Sequence, residues 1–222
     1  TRQEASIYQC LLTEGKVTGY EVAKQTGISR SNAYNSLASM TEKGAAYLVE
    51  EASTRKYVPV PLNEFCKNRI RKLEESGKWL QEHMPSEKAY AEGYITIEGA
   101  ENILNKIKNL LSQVDQRVYI SCTRNYLLLL IRELDALMEA RKKVVIITDQ
   151  PATFRNAKVY LGESRGMQVG VIADSKYVLT GEYGEGSMNT CLYSGQKNFV
   201  ELYKTALANE IKLLSIREEN RD

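Results

Sequence analysis

With one histidine, His83, among 222 residues, the chain leaves almost no room for imidazole chemistry. General-base catalysis, covalent phosphohistidine and most zinc sites all draw on that side chain. Cysteine is equally sparse. Cys10, Cys66, Cys122 and Cys191 lie far apart with no CxxC pair, and three sit in apolar runs. They read as buried, reduced thiols of a cytoplasmic protein, with neither a disulfide framework nor a zinc site, and no metal or cofactor is expected. No apolar run approaches the 18 or so residues of a membrane span. The longest, YLLLLI at 126–131, reads as buried helix, and no signal peptide opens the chain.

Charge of one sign is lacking too. Thirty Lys and Arg stand against 28 Asp and Glu, a net charge of +2, so no basic surplus announces nucleic acid. Residues 1–62 carry 7 basic and 6 acidic side chains, 63–88 carry 6 and 5, and 89–222 carry 17 of each. One copy would hold phosphate weakly, and two copies on one site would do better. The apolar fraction, 43%, is enough to fill real cores in one large or two ordinary domains. A chain that opens on Thr1, almost inside a helix, is expected to have lost residues that precede it.

The most specific stretch is Gly19 to Gly44, GYEVAKQTGISRSNAYNSLASMTEKG. Val22 and Ala23 give a short helix its apolar positions, and Gly27 ends it. Ser29 can cap the next helix, where Ala33, Leu37 and Met40 recur at helical spacing on a core face. The other face carries Ser31, Asn32, Asn35 and Ser39, with Arg30 in the first turn. Short hydrogen-bonding side chains and a cation near the start of the second helix suit base edges in the major groove. The plain alternative is an ordinary helical hairpin.

Before it, Arg2 to Glu14 reads as a helix and Val17-Thr18 as a very short strand. After it, 45–50 and 55–60 read as a two-stranded wing around a polar tip, with Arg55 and Lys56 placed for phosphate or simply as a solvated charge pair. From Leu62 to Met84, Leu62, Cys66, Ile70, Leu73, Gly77, Leu80 and Met84 recur at spacings of three and four, the seam of a short coiled coil. Such a seam wants a second copy of the chain, or the chain's own second domain. Pro85 marks the boundary.

This order, with RQEASIYQCLL at the front and GISRSNAYNSLASMTEKGAAYLVE in the middle, resembles the TrmB family of winged-helix transcriptional regulators. The resemblance implies a winged-helix DNA-binding domain at 1–62, a linker and dimerisation helix at 63–88, and a phospholipase D-like domain at 89–222. It implies double-stranded DNA as partner, a homodimer, and a sugar-like effector.

The second half fits an α/β domain with a parallel or mixed sheet. Strands at 94–99, 117–122 and 144–149 alternate with helices at 100–114 and 125–142, followed by strands at 157–162, 167–174 and 176–183 and a closing helix at 197–216. MQVGVIADSKYVLTGEYGEGSMN is similar to the region of phospholipase D-like domains that holds their His, Lys and Asp motif. If Asp174 is that Asp, Met167 stands for the His and Val169 for the Lys. A thioether cannot replace the imidazole as covalent nucleophile, so no catalysis is expected; a phosphodiesterase is the weaker alternative and a protein-interaction module the other. Asp174 can also simply cap the turn before Lys176. Strand C-termini of an open α/β sheet form ligand crevices; here those ends fall near 121–125, 148–150 and 181–185, and the first two gather Cys122, Thr123, Arg124, Asn125, Thr148, Asp149 and Gln150 for a polyhydroxylated or anionic small molecule.

Overall fold

The computed structural model describes residues 1–51, 54–85, 93–163, 166–186 and 188–219. The chain divides into two compact units, Thr1–Ser86 and Glu87–Asp222. The junction expected at 88/89 lies outside the described residues.

In the first unit, helix α1 (Arg2–Glu14) opens with a capping box, in which Thr1 accepts the Glu4 amide and the Glu4 carboxylate turns back to the cap. Strand β1 (Val17–Thr18) leads into α2 (Gly19–Thr26), which starts in a second box, Thr18 with Glu21, and stops at Gly27 in the left-handed region, φ 70°. Ser29 caps α3 (Arg30–Glu42) by accepting the Asn32 amide. A side chain on Gly19 would meet the Tyr34 ring at 2.5 Å, so any larger residue there would have to displace that ring from between α2 and α3.

Strands β2 (Ala46–Glu51) and β3 (Thr54–Pro59) form the wing, with β1 on the far side of β3, all antiparallel. The tip, 52–53, lies outside the described residues. Ile7, Leu11, Val22, Ala33 and Leu37 are completely buried in one core with Met40 and Tyr57. Burying each large aliphatic chain is worth about 1.5–3 kcal/mol.

Helix α4 (Leu62–His83) belongs to this unit at its first turn, where Phe65 packs on the core with its ring 6.0 Å from that of Tyr8. The Tyr8 hydroxyl donates to the Val60 carbonyl at 2.6 Å. Beyond that turn the helix buries nothing: Ile70 is 57% exposed, Leu73 67% and Leu80 48%. Cys66 is exposed and Cys10 half-buried, so the expectation of buried thiols holds for Cys122 and Cys191 alone; all four are free.

The second unit is built on β4 (Tyr94–Glu98), α5 (Ala100–Ser112), β5 (Arg117–Ser121), α6 (Arg124–Leu128), α7 (Ile131–Glu139), β6 (Lys143–Thr148), β7 (Ala157–Leu161), β8 (Gln168–Ala173), β9 (Tyr177–Glu182), β10 (Thr190–Ser194) and α8 (Lys197–Glu219). Among the described residues the sheet has seven strands in the order β4-β10-β9-β8-β5-β6-β7. It is mixed. Only β5, β6 and β7 run parallel.

Three sequence expectations change here. β4 is an edge strand antiparallel to β10 and does not lie beside β5, so the first βαβ step is absent. β10 was not expected, because TCLYS is short and sits among glycines and polar residues that read as turn. The helix at 125–142 breaks at Leu129-Leu130, which lets Tyr126 and Leu127 bury from α6, Leu130 bury at the break, and Leu134 and Leu137 bury from α7. α5 and α7 cover one face of the sheet around Ile103, Ile107 and Ile120. α8 covers the other, over Val145, Ile147 and Val178.

Candidate nucleic-acid interface and ligand cavity

α3 presents Arg30, Ser31, Asn32 and Asn35 as exposed side chains opposite the buried Ala33, Leu37 and Met40. The Arg30 guanidinium lies over the Tyr20 ring of α2, 4.4 Å from its centroid. That stacking holds the cation at the helix start without a carboxylate to quench it. Tyr20 and the exposed Tyr34 were not singled out in the sequence, because neither has a partner visible in one dimension.

Ser39 needs correction as a member of this face. It is half-buried, and its hydroxyl donates to Glu4 of α1 at 2.8 Å. Lys43 meets the same carboxylate at 2.5 Å. Lys43 and Ser39 together hold the Glu4 carboxyl well below the usual carboxylate range. The cluster fixes α1 against α3.

On the wing, Arg55 pairs with Glu50 at 3.1 Å across the strands, and Lys56 pairs with Glu51 at 2.9 Å, a carboxylate shared with Lys16. These are solvated charge pairs. Exposed pairs of this kind are worth about 0–1 kcal/mol, little enough for a phosphate to displace the carboxylate.

In the second unit, a cavity of about 730 Å³ opens where the C-terminal ends of β5 and β6 meet the start of β8 and the end of β9. Of the expected residues, Thr123, Asn125, Asp149 and Gln150 line it. Arg124 and Thr148 do not: Arg124 is exposed and gives only its backbone N–H to Asp149, at 2.9 Å, while Thr148 is buried beneath the rim. Tyr183, Glu185 and Asn189 complete the polar lining. Among the described lining residues the charged ones, Asp149 and Glu185, are both negative, which speaks against the anionic ligand that the sequence also admitted.

Tyr126, 5% exposed, lines the cavity edge-on to Tyr183 at 4.3 Å, and its hydroxyl has no hydrogen-bond partner. Burial pushes that phenol far above its usual range, so it is a neutral donor in want of an acceptor.

Residues 1–63 match the family described as the sugar-specific transcriptional regulator TrmB. The N-terminal unit is a TrmB-family winged helix. The chain is 27% identical over 239 residues to the uncharacterized protein YrhO of Bacillus subtilis (strain 168), covering all of this chain and 84% of that one. Among solved structures it is similar to TrmBL2, an archaeal chromatin protein described as showing a novel mode of DNA binding, with a TM-score of 0.47, 16% identity and coverage of 96% of this chain and 92% of that one. It is also similar to NucT from Helicobacter pylori, with a TM-score of 0.45, 16% identity and coverage of 55% and 97%. For Nuc of Salmonella typhimurium, a phospholipase D family member, the values are 0.42, 10%, 54% and 93%.

In the second unit the three motif positions sit far apart in environment. Met167 lines the cavity, whereas Val169 is buried in the core beneath β8. Asp174 lies at the other end of β8, where it accepts the backbone N–H groups of Asp115, Gln116 and Arg117 at 2.7, 2.8 and 2.9 Å. It ties down the entry to β5, a different task from capping the turn before Lys176. Among the described residues no group of three or more His, Cys, Asp or Glu is placed to hold a metal, and no helix is long and apolar enough to cross a membrane.

Proposed function

We propose that this chain is a sequence-specific DNA-binding transcriptional regulator, working as a homodimer without catalysis, whose second unit seats a small neutral polyhydroxylated effector. The observation that carries the DNA reading is the exposed face of α3, where Arg30, Ser31, Asn32 and Asn35 stand free of the core and Arg30 is stacked at the helix start. The family description of residues 1–63 agrees with it. Met167 and Val169 offer neither nucleophile nor phosphate-binding amine, which supports a non-enzymatic second unit.

Duplexes selected from a random pool by the parent protein supply the operator. Arg30→Ala and Asn35→Ala are each expected to weaken that complex by about 1–3 kcal/mol, the worth of a good base contact, with thermal unfolding unchanged. Parent-like affinity in both variants would place the interface elsewhere. The paired wing cations favour a second reading, a winged helix used for protein contact. A complex with random duplex DNA that weakens steeply with salt counts against it.

The effector part is checked by thermal unfolding of the full chain against neutral sugars. A ligand at 100 times its dissociation constant should stabilise by about 2.7 kcal/mol. Asn125→Ala should remove the shift and Arg124→Ala should keep it, because only Asn125 lines the cavity. A shift that survives Asn125→Ala and disappears in Arg124→Ala would refute this placement.

A further inference from the structure

A second cavity, of about 420 Å³, lies at the opposite end of the sheet from the first, between the starts of β5, β6 and β7 and helix α8. Its lining carries Arg117, Lys143, Lys158, Lys204 and Lys212, five cations with no carboxylate among the lining residues. Lys204 keeps a partner outside the lining, Glu201 at 2.9 Å, and the nearby Asp174 spends its carboxylate on three backbone N–H groups. Two of the ammonium groups rest on aromatic rings: Lys158 is 4.9 Å from the centre of Tyr160 and Lys143 is 5.8 Å from that of Tyr119.

The floor is apolar. Val145, Ile172, Leu207 and Ile211 lie beneath the cations, with Ser175 at one edge. Like charges gathered around one hollow raise the potential inside it, and low-dielectric walls concentrate that field on an entering anion. The volume is that of a small-molecule site, too confined for a duplex, and an apolar floor asks for more than bare phosphate.

We propose that this cavity binds a small molecule with two or more phosphates on a flat or apolar body, a nucleoside di- or triphosphate in class. The polyphosphate lies among Lys143, Lys204, Lys212 and Arg117, and the body rests on the floor beside Tyr119 and Tyr160. The site is independent of the effector cavity, because the two lie at opposite ends of the strands.

The test is titration calorimetry on the full chain with ATP, pyrophosphate and adenosine, without divalent metal. ATP should bind saturably, tighter than pyrophosphate, with adenosine silent and affinity falling as salt rises. Lys143→Gln with Lys212→Gln should weaken ATP more than tenfold. Arg132→Gln with Arg155→Gln, which removes the same charge from outside this cavity, should leave ATP affinity within twofold. Thermal unfolding of both pairs checks the fold, and Lys143→Met alone serves if the first pair is unstable. No ATP binding at millimolar concentration, or equal losses in the two pairs, overturns the site. Pyrophosphate binding as tightly as ATP overturns the nucleoside body, and random duplex DNA lost in the first pair without any ATP binding overturns the small-molecule assignment.

Discussion

Ile70→Asp combined with Leu73→Asp is expected to turn a dimer into a monomer in sedimentation and to weaken operator binding by roughly a hundredfold, the order of gain that linking two heads provides. Both side chains stand out from α4 with more than half their surface in water, so the substitution costs the folded chain little. A helix with no buried residue and apolar side chains recurring at seam spacing is stable when another helix covers that seam. Four carboxylates facing one another across the seam would repel. An unchanged dimer mass, with operator affinity intact, would move the interface to the second unit and remove α4 from the argument.

Asp174→Ala is expected to lower the stability of the second unit by about 2–4 kcal/mol, since three backbone N–H groups lose one charged acceptor and a residue at φ 50° becomes one without a side chain suited to the left-handed region. In melting temperature this is on the order of 5–15 °C. Asp174→Asn, which keeps an acceptor and tolerates that backbone, should lose less. Burial pushes this carboxyl up, but the three N–H groups outweigh it and leave it below its ordinary 3.8. A carboxyl lowered in the folded state stabilises above the unfolded value and stops doing so as pH falls through the folded one. The gap between parent and Asp174→Ala should therefore be full near neutral pH and close below about pH 4. A gap that stays constant to pH 3 would assign the loss to backbone strain alone.

The winged unit was legible because its signals are local. A cap, a glycine and three apolar residues at helical spacing specify α3 within 14 residues, and the wing follows at once. Ser39 escaped because its partner, Glu4, is 35 residues away and sequence spacing shows only that a serine faces outward. The second unit was legible in its elements and not in their pairing. Nothing in TCLYS says that it will sit between β4 and β9, since strand order follows from long-range burial and not from the strand's own residues. The rule of strand ends gathers Thr123, Asn125, Asp149 and Gln150 around one cavity, but it takes in Arg124 as well, which helix α6 turns away from the lining. The basic cavity was invisible for a different reason. Residues 89–222 are neutral on balance, and a sum over the chain hides charges that folding gathers from positions as distant as Arg117 and Lys212.

The docking of Phe65 onto the winged core has a further result for α4. The first turn moves with the head, while the seam continues past Phe65 through Ile70 and Leu73 on the same uninterrupted helix of 22 residues, a rod about 33 Å long. Head and seam are therefore geared by residue count. One residue inserted between Phe65 and Ile70 would turn the head by about 100° around the rod and carry it forward by about 1.5 Å. Seven would bring it back to within about 20° of its first bearing but about 10 Å farther out. In a two-fold pair both heads would swing, while half-sites one duplex turn apart ask each to face the same side of the DNA. If the proposed dimer forms through this seam, the rod would act as a key cut to one operator phase, its length in residues selecting which spacing of half-sites the pair grips.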